Sequence, residues 1–142
     1  MINKEITKYE VLAEAGAIFA AEITTSYIEL GNYQNVDFII ATGIGTAANV
    51  TVKVLGKLGS SGTAAAIKFK KKTGPISFDE VSSDGATFSI GGAEGKCGFV
   101  VYRVDSDSFK GKLDRIALNV SAVANSTVPG AIVALVSKPR LI

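Results

Sequence analysis

The chain has no histidine and no tryptophan, and its 142 residues include one cysteine and one methionine. Without histidine, neither a Ser-His-Asp triad nor a Cys-His pair can form, and imidazole metal ligands are absent. One cysteine cannot build an intrachain disulfide framework. These absences exclude most routes to a catalytic or metal-binding centre, so we expect a protein that is not an enzyme and that holds no cofactor and no metal ion.

The chain also lacks a large net charge and a long apolar run. Lys and Arg number 15 against 13 Asp and Glu, which gives a formal net charge of +2. This is too small for the field that steers proteins onto nucleic acid. The apolar residues 15–21 lie between Glu14 and Glu22, and no stretch approaches the roughly 20 residues of a membrane span. We expect no specific nucleic-acid partner, no membrane association and synthesis in a cytoplasm.

What the chain does contain is apolar residues in alternation. Hydrophobic residues make up 47% of it and charged residues 20%, which is typical of a folded globular domain. From residue 27 onward the dominant period is two, with turn residues between the runs, as expected for half-buried strands. The pattern predicts an all-β fold, an antiparallel, jelly-roll-like β-sandwich of about eight or nine strands, with runs at residues 36–40, 50–54, 67–70, 76–78, 88–90, 99–104, 116–124 and 131–136.

The first quarter of the chain is ambiguous. Residues 11–23 fit either a helix or a strand, because apolar residues recur at helical spacing while Gly16 and a β-branched run disfavour a helix. Residues 1–10 resemble an N-terminal arm in front of a single domain formed by residues 11–142. Ile2, Ile6, Tyr9 and Val11 make the arm apolar enough to dock on a neighbouring subunit.

Three later strands carry apolar residues on both faces of the pleat, at residues 99–104, 116–124 and 131–136. Such strands either lie in the centre of the fold or have one face covered by another subunit. For the second case, Phe99, Val101 and Ile132 join the residues of the arm as candidate interface residues.

One cluster of charge stands out, formed by Lys68, Lys70, Lys71 and Lys72. Alternation places Lys68 and Lys70 on the outer face of a strand whose inner face is Ile67 and Phe69. Outward lysines protect sheet edges from unwanted pairing. This candidate basic surface is therefore either a solvated edge or a contact for an acidic partner surface.

Residues 43–48 read G-x-G-x-x-A after a predicted strand, which superficially matches a dinucleotide-binding motif. That motif requires a helix to follow it, so that the helix N-terminus meets the pyrophosphate. Here the alternation of Val50, Val52 and Val54 continues as a strand. We therefore interpret the segment as a glycine hairpin between two strands.

Several stretches together resemble a group of small structural proteins of tailed bacteriophages and prophages. They are residues 23–30 (ITTSYIEL), 32–40 (NYQNVDFII), 43–53 (GIGTAANVTVK), 113–120 (LDRIALNV) and 131–140 (AIVALVSKPR). The resemblance covers about two-thirds of the chain, and the region around residues 75–98 departs from it. The shared motifs are structural and contain no catalytic signature.

This resemblance implies a virion structural protein, of the type that decorates and stabilises the capsid. Its partner would be the major capsid protein, its location the capsid surface of the virion, and its state a homo-oligomer, with a trimer favoured. Two alternatives stay open at this point. One is a carbohydrate- or receptor-binding β-sandwich module, although the chain lacks tryptophan for a sugar platform. The other is a structural component of the tail or of head closure.

Overall fold

The computed structural model describes residues 7–30, 35–75, 77–92, 98–105 and 113–137. These residues form two six-stranded sheets in which every strand pairing is antiparallel. Their apolar inner faces share one core, so the predicted all-β antiparallel sandwich is confirmed. Within the described residues, no helix has the length and apolar composition needed to cross a membrane.

Sheet 1 has the strand order β1-β12-β4-β10-β7-β8. Its four long members pair over most of their lengths, and β7 and β8 extend the sheet beyond β10. The strands are β1 (Thr7–Gly16), β4 (Asn35–Thr42), β7 (Phe69–Lys72), β8 (Phe78–Val81), β10 (Gly98–Asp105) and β12 (Gly130–Ser137).

Sheet 2 is organised around the long strand β5, which pairs with β11 along one edge and with β6 and β9 along the other. The short strands β2 and β3 both pair with β11. The members are β2 (Ile23–Thr24), β3 (Ile28–Glu29), β5 (Gly45–Lys57), β6 (Ala65–Ile67), β9 (Ala86–Gly92) and β11 (Arg115–Val120).

Alternation along the strands builds the core. In β4, residues 36, 38, 40 and 42 are buried while the residues between them are half-buried, and β12 shows the same pattern. The largest fully buried side chains include Tyr102, Phe19, Phe38, Ile40, Ile116 and Leu118. Burying each such side chain contributes about 1.5–3 kcal/mol, so the inner faces hold the two sheets together.

The ambiguous segment at residues 11–23 is strand and turn. Strand β1 runs to Gly16, and a single 3₁₀ turn (Ile18–Ala20) then places Phe19 in the core before β2 begins. Residues 7–10, predicted to be part of an arm, pair with β12 of the same chain. The remaining arm residues, including Ile2 and Ile6, lie outside the described residues.

The hairpin predicted at residues 43–48 is wrong, because β4 and β5 belong to different sheets. The chain turns a corner here, passing from one sheet to the other. The corner packs closely: a Cβ atom on Gly43 would lie 2.6 Å from Pro129 Cγ, and one on Gly45 would lie 2.8 Å from Val128 Cγ2. Gly45 also has φ +151, so glycine is required by both space and backbone conformation.

A second corner divides the run predicted as one strand at residues 67–70. Ile67 ends β6 in sheet 2 and Phe69 begins β7 in sheet 1, with exposed Lys68 between them. Alternation reports which side chains point inward, and both Ile67 and Phe69 do pack toward the core. It carries no information on which sheet a residue joins. This division, the strand β1 and the short strands β2 and β3 raise the eight predicted runs to twelve strands.

Candidate functional site

The outer face of sheet 1 carries a contiguous apolar area. Its central row crosses four strands through consecutive cross-strand partners. The four side chains of this row are Val11, Val133, Ile39 and Val101. Partners in a pleated sheet lie on the same face about 5 Å apart, so these four form a continuous aliphatic strip.

The neighbouring rows widen this strip on both sides. On one side, Ala131, Ala41 and Phe99 are cross-strand partners. On the other side, Tyr9 pairs with Leu135. We call this set of outward side chains the apolar face: Tyr9, Val11, Ile39, Ala41, Phe99, Val101, Ala131, Val133 and Leu135.

Three side chains at the edges of the apolar face, including Val11 at the end of the central row, are open to solvent. Tyr9 is 70% exposed, Val11 56% and Phe99 71%. Single exposed hydrophobic residues are common on proteins, but a contiguous group marks a surface for interaction. The apolar face is therefore the candidate functional site of this protein.

Ion pairs border the apolar face and leave it electrically balanced. Arg103 donates two hydrogen bonds to Asp37, from Nε to Oδ1 at 2.6 Å and from Nη2 to Oδ2 at 2.9 Å. Lys70 Nζ lies 2.7 Å from Asp105 Oδ2. Each charged side chain that β4 and β10 place on this face thus has a partner of opposite charge. The Arg103 guanidinium also lies over the ring of Phe78, 4.5 Å from its centroid.

The outer face of sheet 2 is polar by contrast. Ser89 donates to Asn49 at 2.9 Å, Asn119 donates to Thr24 at 2.9 Å, and Arg115 pairs with Glu29 at 3.0 Å. Leu55 and Ala117 interrupt this surface. We call the following side chains the polar face: Thr24, Glu29, Asn49, Thr51, Lys53, Lys57, Thr87, Ser89, Arg115 and Asn119.

The structure brings most of the predicted interface residues together. Tyr9, Val11, Phe99 and Val101 all lie on the apolar face, while Ile2 and Ile6 lie outside the described residues. Ile132 does not belong to this group, because it is 0% exposed and pairs with buried Ile40 on the inner face. Its outward neighbour Val133 takes the position that we predicted for Ile132.

Sequence reasoning missed the middle of the apolar face. Ile39, Val133 and Leu135 are half-buried and outward, and they sit in runs that are apolar on both faces of the pleat, Phe38-Ile39-Ile40 in β4 and residues 131–136 in β12. The uninterrupted apolar run was the available signal. In β4, the alternation of apolar residues with Asp37 predicted only the inner face of the strand. The apolar residue Ile39 on its outer face was therefore not predicted.

The four lysines do not form one basic surface. Lys68 is exposed at the corner between the sheets, and Lys70 is outward and paired with Asp105. Lys71 lies opposite Tyr102 in the register, on the inner side of β7, and Lys72 is at the end of that strand. Because successive residues point to opposite faces, the run of lysines in the sequence is divided in space.

Lys71 and Lys72 instead border a shallow groove between β9 and β10. The groove has a volume of about 570 Å³ and an apolar floor that includes Phe88 and Val100. Thr87, Ser89, Gly74, Pro75 and the apolar-face residues Phe99 and Val101 complete its described lining. Among these described residues there is no carboxylate and no cysteine that could serve acid-base or nucleophilic chemistry.

Tyr102 is a polar side chain on the inner face of sheet 1. It is fully buried, and its ring packs edge to face on Phe69 with 5.4 Å between the centroids. The phenol oxygen has no hydrogen-bond partner among the described residues. Burial raises the pKa of Tyr102 to about 12 from its ordinary value of 10.0, because the apolar core disfavours the phenolate.

The described part of the chain contains no group of three or more His, Cys, Asp or Glu side chains placed to hold a metal ion. The described residues instead form one broad apolar face of aliphatic and aromatic side chains on a hydrogen-bonded sheet. Such a surface binds by removing apolar area from water.

No protein-family model matches the chain, and no curated protein matches it. Its fold is similar to that of the crystal structure of the SPBc2 prophage-derived protein YomS, with a TM-score of 0.63 and 12% sequence identity. The similarity extends over 97% of this chain and 98% of YomS. It shows that the two proteins share one fold over nearly their whole lengths.

Proposed function

We propose that this chain is a structural protein of a tailed-phage virion, of the capsid-decoration type, that binds the shell of the major capsid protein. It acts without catalysis and without a cofactor, as a homo-oligomer on the capsid surface. The observation that carries the proposal is the apolar face, which gives a rigid sheet a broad adhesive surface. The prophage origin of a protein with the same fold supports the phage context.

The physical properties of the chain suit this role. A decoration protein adds many copies to a shell and resists deformation, which calls for stiff hydrogen-bonded sheet and extensive contacts. In sheet 1, the long strands β12, β4 and β10 are paired without interruption. The ion pairs between Arg103 and Asp37 and between Lys70 and Asp105 tie side chains across neighbouring strands.

Co-sedimentation with empty shells of the major capsid protein from the same phage tests this function. We expect the chain to pellet with shells in saturable amounts and to stay in the supernatant without them. Binding is measured at salt concentrations from 0.1 M to 0.5 M, because exposed ionic contacts are progressively screened over this range. Absence of binding at every salt concentration would overturn the capsid-decoration assignment.

The trimer implied by the sequence resemblance stays a prediction. Light scattering coupled to size-exclusion chromatography gives the mass of the particle directly. A mass of three chains, about 44 kDa from a chain of 14.7 kDa, would support it.

A further inference from the structure

We propose that the apolar face packs against the same face of a second copy of this chain. This inference rests on the proposed function, because it makes the apolar face the contact that joins the copies of the proposed homo-oligomer. The shell then binds another surface of the dimer. A contact of a face with itself has two-fold symmetry, so it builds a dimer. The trimer implied by the sequence resemblance would need a different contact, so the proposed dimer and that trimer are competing predictions.

The composition of the apolar face matches that of a buried sheet face. Its central row consists of Val11, Val133, Ile39 and Val101, which are cross-strand partners of one another. Aliphatic residues of the same types form the cross-strand rows of the inner face. Sheets pack face to face about 10 Å apart when such rows interdigitate, as the two sheets of this chain already do. The aromatic rings of Tyr9 and Phe99 lie on the flanks, at opposite edges of the strip.

The charges on this face fit a second copy. Two identical faces repel each other if they carry a net charge, because like charges meet across the two-fold axis. Asp37 and Asp105 are balanced by Arg103 and Lys70 within the face itself. An identical neighbour therefore meets a neutral surface, and no ion pair has to break.

The area is sufficient for a specific contact. Four strands about 4.8 Å apart and eight residues long cover about 19 Å by 27 Å, or about 500 Å² of flat area per copy. Two copies then bury about 1,000 Å² or more, which reaches the lower limit for specific protein interfaces. The apolar row at the centre and the ion pairs at the border reproduce the usual arrangement of core and rim.

Sedimentation velocity over a range of protein concentrations, with no shell present, tests this proposal. We expect a concentration-dependent equilibrium between one and two chains. Val133→Lys places an ammonium in the centre of the apolar face and should weaken dimerisation by roughly 100-fold or more, since the buried charge has no partner. Thr51→Lys adds the same charge to the polar face and should leave the equilibrium unchanged.

Phe99→Ser provides a milder second variant, at a position that is 71% exposed and outside the buried core. It should weaken the dimer by roughly 10-fold while thermal unfolding of the monomer is unchanged. A monomer at all concentrations, a trimer, or equal effects of Val133→Lys and Thr51→Lys would each overturn the face-to-face contact. A monomer that still binds shells, and loses shell binding on Val133→Lys, would assign the apolar face to the capsid protein and leave the proposed function intact.

Discussion

The outer faces of the two sheets are made by strands with the same inward alternation, yet their outward residues differ in kind. Along β5 the outward positions hold Asn49, Thr51, Lys53, Leu55 and Lys57, and along β12 they hold Ala131, Val133, Leu135 and Ser137. Folding requires apolar residues only on the inner side of each strand. Apart from Leu55 and Ala117, the outward residues of sheet 2 meet that minimum, so the larger apolar area of sheet 1 points to a contact that the isolated chain does not make.

On β4, the adjacent residues Ile40 and Ile39 allow packing in the core and placement on the apolar face to be tested separately. Ile40→Ala removes a fully buried side chain and should lower the free energy of unfolding by about 3 kcal/mol. Ile39→Ala, on the apolar face, should cost less than about 1 kcal/mol in the dilute monomer because its side chain is only partly buried. Urea unfolding at low protein concentration measures both. Equal losses would show that Ile39 already belongs to the core.

The ion pairs of the two faces allow a matched comparison. Arg103 and Asp37 form a bidentate pair that is largely covered, whereas Arg115 pairs with a Glu29 side chain that is 75% exposed. Double-mutant cycles should give a coupling of about 1–2 kcal/mol for the first pair and less than about 0.5 kcal/mol for the second. Added salt should reduce the second coupling more. A larger coupling for Arg115 and Glu29 would contradict the different exposure of the two faces.

Tyr102 carries a polar hydroxyl on the apolar inner face of sheet 1, whereas the apolar face carries apolar side chains on an outer surface. Tyr102→Phe removes a buried hydroxyl without a partner among the described residues and should raise the free energy of unfolding by about 1 kcal/mol at pH 7. Chemical denaturation of both forms gives this difference. A loss of stability would mean that the hydroxyl is hydrogen-bonded in solution.

The same residue predicts a pH dependence. The pKa of Tyr102 is about 12 when folded and 10.0 in its ordinary state, so the folded chain holds this proton more tightly. Its contribution to stability is complete below pH 10 and falls as the pH rises toward 12. Between these values the wild type should lose more stability than Tyr102→Phe. Parallel curves for the two forms would contradict the raised pKa.

Alternation in the sequence predicted the all-β sandwich and the positions of β4, β5, β10 and β12. It did not predict the corners at Gly43 and Lys68, because an inward side chain looks the same in either sheet. Close packing of Gly43 and Gly45 on Pro129 and Val128 depends on residues more than 80 positions away in the chain. Such contacts leave no local pattern in the sequence.

The candidate site was predicted in part for a related reason. A strand with apolar residues on both faces indicates that one face is covered by something else, which led to Phe99 and Val101. The pattern does not reveal which of two adjacent apolar residues points outward, since that phase is set by pairing with β4. The apolar pattern therefore predicted Ile132 as an interface residue, where Val133 is the outward residue. It did not predict Ile39, which lies two residues after Asp37 on the same outward side of β4.

Hydroxyl-radical footprinting of the wild-type chain, read by mass spectrometry at low and high protein concentration, tests the central claim most directly. It reports the solvent exposure of individual side chains in the unmodified protein. We predict that Tyr9, Phe99 and Leu135 become protected as concentration rises, while Tyr27, which stacks under Lys57 at the outer surface of sheet 2, keeps its reactivity. Unchanged reactivity of the apolar face at every concentration, or protection of Tyr27 instead, would contradict this account.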